Sequence, residues 1–216
     1  MPDLSFQVEG AQPVRIAASP LLALKLRISN TRPEEAIHAI LLRSQVQIEA
    51  TRRRYSVGDQ AALVDLFGEP ERWGQSLRGL LWTHTSVIVP SFTGTTLVEL
   101  QLPCTYDLNV ASAKYFSALE EGEVPLCLLF SGTIFYRAAD AALQVAQIPW
   151  DKEASYRLPV RVWQEVMDLY FPNSAWLSLR KDVFARLAEY KSRGGLPTWE
   201  HAIDNLLQHA SEQVTP

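Results

Sequence analysis

The stretch IHAILLRSQVQI, residues 37–48, decides the fold class. Ile40, Leu42, Val46 and Ile48 fall on one side of a period-two pattern, with Arg43, Gln45 and Gln47 on the other. Alternation of this kind predicts a strand with one buried and one wet face, the habit of an antiparallel sheet. The pattern continues toward the N-terminus. Leu22, Leu24, Leu26 and Ile28 alternate with Lys25 and Arg27 after Pro20, and Leu4, Phe6 and Val8 mark a shorter strand. A turn at Asn30 to Pro33 separates these from the central stretch.

Toward the C-terminus, residues 56–67 (SVGDQAALVDLF) place Ala61, Leu63, Val64 and Phe67 at helical spacing. Asp59 lies near the start, where a helix dipole favours an acid. Residues 68–76 read as a loop. Strands resume at 80–89 and 95–102, and the linker PSFTG (90–94) has the Pro and Gly of a hairpin connection. A short strand is expected at 106–110, a short helix at 111–119, one or two strands within 124–136 and another at 143–148. After Trp150 the period changes to 3.6: residues 159–170, 178–190 and 198–210 read as three helices, the last capped by Thr198. The expected fold is α+β, an antiparallel, sandwich-like N-terminal part followed by a C-terminal three-helix segment. Residues 1–150 form the mainly β region with two short helices. Residues 151–216 form a helical region packed on it, within one compact domain.

The chain has 216 residues, 20 Lys+Arg against 24 Asp+Glu, and 47% hydrophobic residues. That length supports a core without disulfide or metal staples, and the composition excludes a disordered or disulfide-dense chain. Charge is spread evenly, without the basic stripe of a nucleic-acid binder. The first ten residues do not read as a signal peptide, and no apolar stretch is long enough to span a bilayer. Cys104 and Cys127, the two cysteines, suit a reduced, cytoplasmic protein.

No phosphate loop, dinucleotide fingerprint, GxSxG elbow or HExxH pair occurs. The cysteines are too far apart for a zinc ribbon, and His201 with Asp204 makes only one helical pair. No cofactor and no metal are expected. Cys127 sits among leucines and reads as a small core residue; Cys104, at a strand end, is the better candidate for a reactive thiol. Arg52-Arg53-Arg54-Tyr55 is the sharpest charge cluster, suited either to a planar anion or to a solvated strand end. All three arginines are expected to be exposed, so replacing them with Ala should leave the fold intact. Trp150, Lys152, Glu153, Tyr156 and Arg157 form the densest mixed cluster, at the junction of sheet and helices.

The segments RRRYS (52–56), DLFGEPERWG (65–74), LWTHTSVIVPSFTGTT (81–96), LPCTYDLNVASAKYF (102–116), LLFSGTIFY (128–136) and IPWDKEASYRLPVRVWQEVMDLYFPNSAWL (148–177) resemble one family. It is an uncharacterised bacterial domain-of-unknown-function family, associated with gene clusters for actinobacterial-type nickel–iron uptake hydrogenases. The resemblance covers nearly the whole chain and brings no catalytic residues with it. It implies a cytoplasmic, non-catalytic accessory or chaperone-like protein whose partner is a hydrogenase subunit or maturation factor. The surfaces expected to bind that partner are Arg52 to Tyr55, the strand carrying Trp82 and His84, and Trp150 with Lys152, Glu153, Tyr156 and Arg157. The alternative is a small-molecule-binding domain or unrecognised enzyme, with a pocket around Cys104, Tyr106 and Glu153. Oligomeric state is left open.

Overall fold

Strand β3 (Ile37–Ile48) is the middle of the larger of two antiparallel sheets. Its alternation is realised as read: Ile40, Leu42, Val46 and Ile48 are fully buried, and Arg43 points away from the core. The computed structural model describes residues 2–32, 35–108, 110–137, 142–174 and 176–214, the side chains of 212–214 excepted. The turn expected at Asn30 to Pro33 lies partly outside them.

The smaller sheet has the order β1 (Leu4–Pro13), β2 (Leu21–Asn30), β5 (Thr95–Pro103). In the larger sheet β3 lies between β4 (Leu80–Val89) and β6 (Glu123–Arg137). The long β6 then takes two partners in turn. Its first half pairs with β8 (Glu153–Pro159) and its second with β7 (Leu143–Gln147). Between those halves sits Gly132, at φ +141°, where a Cβ would lie 2.0 Å from the Leu41 carbonyl oxygen. Only glycine tolerates that approach.

The apolar faces of both sheets share one core: Leu22, Leu24, Leu26 and Ile28 from β2, the β3 residues above, and Leu126, Leu128 and Ile134 from β6. At about 1.5–3 kcal/mol for each fully buried aliphatic side chain, this layer is the main driving force of folding. Helix α4 (Ala111–Ser117) adds Tyr115 and Phe116, and α5 (Val160–Tyr170) adds Val162, Trp163, Val166 and Met167.

Several expectations are corrected. The linker 90–94 is not a hairpin: β4 bonds to β3 and β5 to β2, so the chain crosses between sheets there. Phe92 exchanges backbone hydrogen bonds with Ile37 (3.0 and 3.1 Å), and Asn30 N–H reaches Gly94 O at 2.7 Å, pinning the crossover to both sheets. Residues 106–108 hold no strand, only an isolated bridge from Asp107 to Trp176. Residues 153–159, read as the entrance to the helical region, form β8. The α+β class stands, and α5 with the two helices after it makes the three C-terminal helices, but among the described residues the part before residue 150 holds four α-helices rather than two. Seven α-helices occur among the described residues, including α1 (Val57–Ala62), α2 (Val64–Phe67) and α3 (Trp73–Ser76) before α4.

The chain divides into two compact units, Met1–Trp176 and Leu177–Pro216. The first holds both sheets and α1 to α5. The second is a pair of helices, α6 (Lys181–Arg193) and α7 (Trp199–Val214), where His201 N–H bonds Thr198 Oγ1 at 3.2 Å as the expected cap. No helix among the described residues is long and apolar enough to cross a membrane.

Candidate functional site

The arginine cluster follows β3 directly, in a 3-10 turn at Ala50–Arg52. Arg52 pairs with Glu49 at 3.1 Å and remains open to solvent, as does Arg54. Arg53 is different. Its side chain is 7% exposed, which overturns the expectation that all three arginines are solvated. Nη1 donates to Glu123 O at 2.8 Å, and Nη2 to Glu121 O at 2.7 Å and to Asp59 Oδ2 at 3.3 Å. Asp59 is in turn the capping-box acid of α1: Ser56 N–H donates to it and its own N–H donates to Ser56 Oγ. Glu120 N–H reaches its second oxygen at 3.4 Å. Arg53 and Asp59 thus join the start of α1 to the loop before β6.

Around this pair lies a cleft of about 630 Å³, bringing together Arg52, Arg53, Arg54 and Arg157 with Asp59, Glu120, Glu121 and Glu123. Arginine and carboxylate alternate on its walls, so it has no net positive field for a phosphate. Tyr55 is half-buried, its hydroxyl donating to Ala50 O at 2.7 Å and lying 2.8 Å from the Tyr115 hydroxyl. It is part of the core wall and packs edge-on against Trp73.

The other predicted residues separate by face. Trp82 is turned inward against Phe116, with ring centroids 4.8 Å apart. Tyr156 packs on the core, and Lys152 pairs with Asp3 at 2.8 Å. His84, Trp150, Glu153 and Arg157 are exposed, Trp150 at 93%. The alternative pocket does not assemble. Cys104 is buried beneath the end of β5, its thiol pushed up to about 12 by burial, and Tyr106 is stacked on Phe171 beside Trp163. Glu153 stands on the exposed side of β8, opposite Leu129.

A second groove, of about 910 Å³, crosses the face of the larger sheet that turns away from the core. The pairing register builds its floor as two rows. His84, Gln45 and Leu129 form one; Ser86, Arg43 and Ser131 form the other. Gln101 of β5 and Trp150 stand at its margins. Among the described residues no carboxylate lines it, and Glu153, paired with Leu129 on the exposed side of β8, continues the His84 row just beyond its lining. Two exposed cross-strand neighbours, Leu41 and Ile88, extend the same face beyond the Arg43 row. Of this groove the sequence pointed to His84 and Trp150 only. The polar alternation of β3 marked Arg43 and Gln45 as outward, but Ser86, Ser131 and Gln101 join them only through strand pairing.

The molecule is therefore a two-sheet α+β protein with a basic, carboxylate-free groove on an open sheet face and no cluster of metal-ligating side chains among the described residues. The chain belongs to a family of unknown function, DUF6084, whose model matches residues 1–215. No curated protein matches it. Among solved structures it is similar to the CARDB domain of the PF1109 protein of Pyrococcus furiosus, determined in complex with di-metal ions. Identity is 9%, coverage 73% of this chain and 91% of that one, and the TM-score 0.27. The putative ApaA protein of Bordetella pertussis is 14% identical over 73% of this chain and 93% of its own, with a TM-score of 0.24. Beta-glucosidase 3B of Thermotoga neapolitana, in complex with alpha-D-glucose, is 13% identical over 72% of this chain and 17% of its own, with a TM-score of 0.26. Likenesses this distant carry no argument about what this protein binds.

Proposed function

We propose that the protein is a non-catalytic binding module that holds an acid-bearing extended segment of a partner protein in the groove across β4, β3 and β6. The observation that carries this reading is the groove's lining: Arg43 and His84 among hydroxyl and amide groups, an exposed Trp150, and no carboxylate. A guanidinium fork suits a carboxylate, and an exposed indole is a frequent anchor of protein interfaces. The thiols argue in the same direction. Burial raises both above the ordinary cysteine range, with Glu153 and Glu49 adding to the rise at Cys127, so neither is poised as a nucleophile. The resemblance to hydrogenase-associated proteins suggests the partner: a subunit of a nickel–iron hydrogenase or one of its maturation factors, in the cytoplasm.

The test is affinity capture from the native host grown on hydrogen, comparing the wild type with Arg43→Glu and Trp150→Ala. Both variants should melt as the wild type does, because neither side chain is buried. Recovery of a hydrogenase subunit or maturation factor by the wild type, and its loss with both variants, supports the proposal. Equal recovery by all three overturns the groove as the site, and absence of any hydrogenase-related protein overturns the partner. A second reading, small-molecule binding in the same groove, draws on its volume, which lies within the usual range for ligand sites. A metabolite that raises Tm in the wild type but not in Arg43→Glu would select it.

A further inference from the structure

The second unit has almost no core of its own. Among the described side chains of residues 177–211, Ala202 alone is buried. Helices α6 and α7 are joined through Gly194 and Gly195, and Phe184 lies against Trp199 with centroids 5.2 Å apart. Tyr190 O–H donates to Asn205 Oδ1, and Lys191 sits 5.5 Å above the Trp199 ring. These contacts align the hairpin. They leave Val183, Phe184, Trp199, Ile203, Leu206 and Leu207 all more than a third exposed, Leu207 at 62%. Helices of this length do not hold in water on propensity alone, and their stability comes from covering an apolar stripe.

We infer that the stripe is covered by a second copy of the chain. The two hairpins pack as an antiparallel four-helix bundle, with α6 of one copy against α7 of the other. Area and charge carry the inference. The exposed parts of those six residues amount to about 500 Å² per copy, so pairing two hairpins covers roughly 1,000 Å², the least that a specific interface needs. Helix α6 is basic, with Lys181, Arg186, Lys191 and Arg193 against Asp182 and Glu189, whereas α7 carries Glu200, Asp204 and Glu212 with two histidines and neither Lys nor Arg. The α6 region pairs its own charges locally, Arg180 with Asp182 and Arg193 with Glu189, and among the described residues no ion pair joins α6 to α7. A two-fold axis sets basic α6 on acidic α7 twice, whereas like-on-like pairing sets basic on basic. One hairpin thus bears both halves of a self-complementary surface. The inference does not depend on the sheet groove, whose residues all lie in the first unit.

The experiment is light scattering and sedimentation of the 216-residue chain across roughly 1–200 μM, where a self-associating protein shifts with concentration. A mass approaching twice 24.3 kDa is expected. Leu207→Glu should weaken the dimer by about tenfold or more while keeping the helix signal in circular dichroism. The double reversal Glu200→Lys with Asp204→Lys should weaken it too. Adding Lys191→Glu and Arg193→Glu, at the end of α6 that the start of an antiparallel α7 faces, should restore it, a rescue that tests the pairing even if Leu207→Glu fails to fold. A monomer at every concentration, or a dimer indifferent to Leu207→Glu and to both reversals, overturns the inference. Arg43→Glu, in the groove, should leave the mass unchanged.

Discussion

Arg53 donates to the Asp59 carboxylate across 3.3 Å with both side chains less than a tenth exposed, and the pair together bonds the backbone of residues 120–123, which lie beyond β4 and β5 in the chain. The same guanidinium holds two carbonyls of the 120–123 loop, so three acceptors depend on one side chain. Removing one partner of a buried ion pair leaves the other charge uncompensated, at a cost of about 3–5 kcal/mol. Arg53→Ala should therefore lower Tm by about 10 °C, given the usual entropy of unfolding for a chain of this size. Arg52→Ala and Arg54→Ala should each stay within about 0.5 kcal/mol of wild type in urea denaturation. Arg53→Lys should rescue little, because a point charge cannot span three acceptors in a fork.

The thiols should label at very different rates. Cys127 lies on the exposed side of β6 and is partly open, whereas Cys104 is buried, with Sγ 3.6 Å from Leu102 O. One equivalent of thiol should react with a disulfide reagent in the native protein, and the second only as denaturant unfolds it. Two fast equivalents would contradict the burial of Cys104.

Stability should fall in alkali. Burial is the first cause of the raised phenols of Tyr55, Tyr115 and Tyr156, with the Tyr55 hydroxyl adding to the rise at Tyr115. The unfolded chain releases these protons at about pH 10, while the folded protein keeps them. Above that value the native state binds more protons than the unfolded one, so unfolding free energy decreases as pH rises. The loss should begin near pH 10, and the phenolate absorbance of these three residues should appear only at still higher pH. Tyr55→Phe removes the partner of the buried Tyr115 hydroxyl and should cost about 1–3 kcal/mol at neutral pH.

Gly132→Ala should be among the most damaging single changes. The new Cβ meets the Leu41 carbonyl at 2.0 Å, backbone against side chain, at a φ that L-residues rarely adopt. Relief requires β6 to move off β3 where both outer strands also depend on it. A drop in Tm well beyond that of Gly74→Ala, where nothing lies within 4 Å, is the expected outcome.

Local periodicity was enough for most elements. β3 was legible from alternating Ile, Leu, Val and polar residues, α5 from the change to a 3.6 period after Trp150, and α7 from its Thr198 cap. It failed where two signals competed. Residues 153–159 border a helical pattern, yet β6 offers them an open edge, and the ladder from Glu123–Pro159 to Leu129–Glu153 turns them into a strand. The arginine cluster failed for a related reason. Three adjacent arginines have the same local signature, and only the loop folding back at residues 120–123 distinguishes Arg53 from its neighbours.

By itself, the amino-acid sequence determined the α+β class, the faces that β1, β2 and β3 bury and the positions of the three C-terminal helices. Those properties follow from the period of apolar residues, which is local. The tertiary structure alone decided that β4 and β5 belong to different sheets and that Arg53 pairs with Asp59 in the interior. It also decided that Arg43, Ser86, Ser131 and Trp150 share one groove. Each of these depends on which distant strands meet and in what register, and hydrogen bonding between strands carries no local mark of its partner.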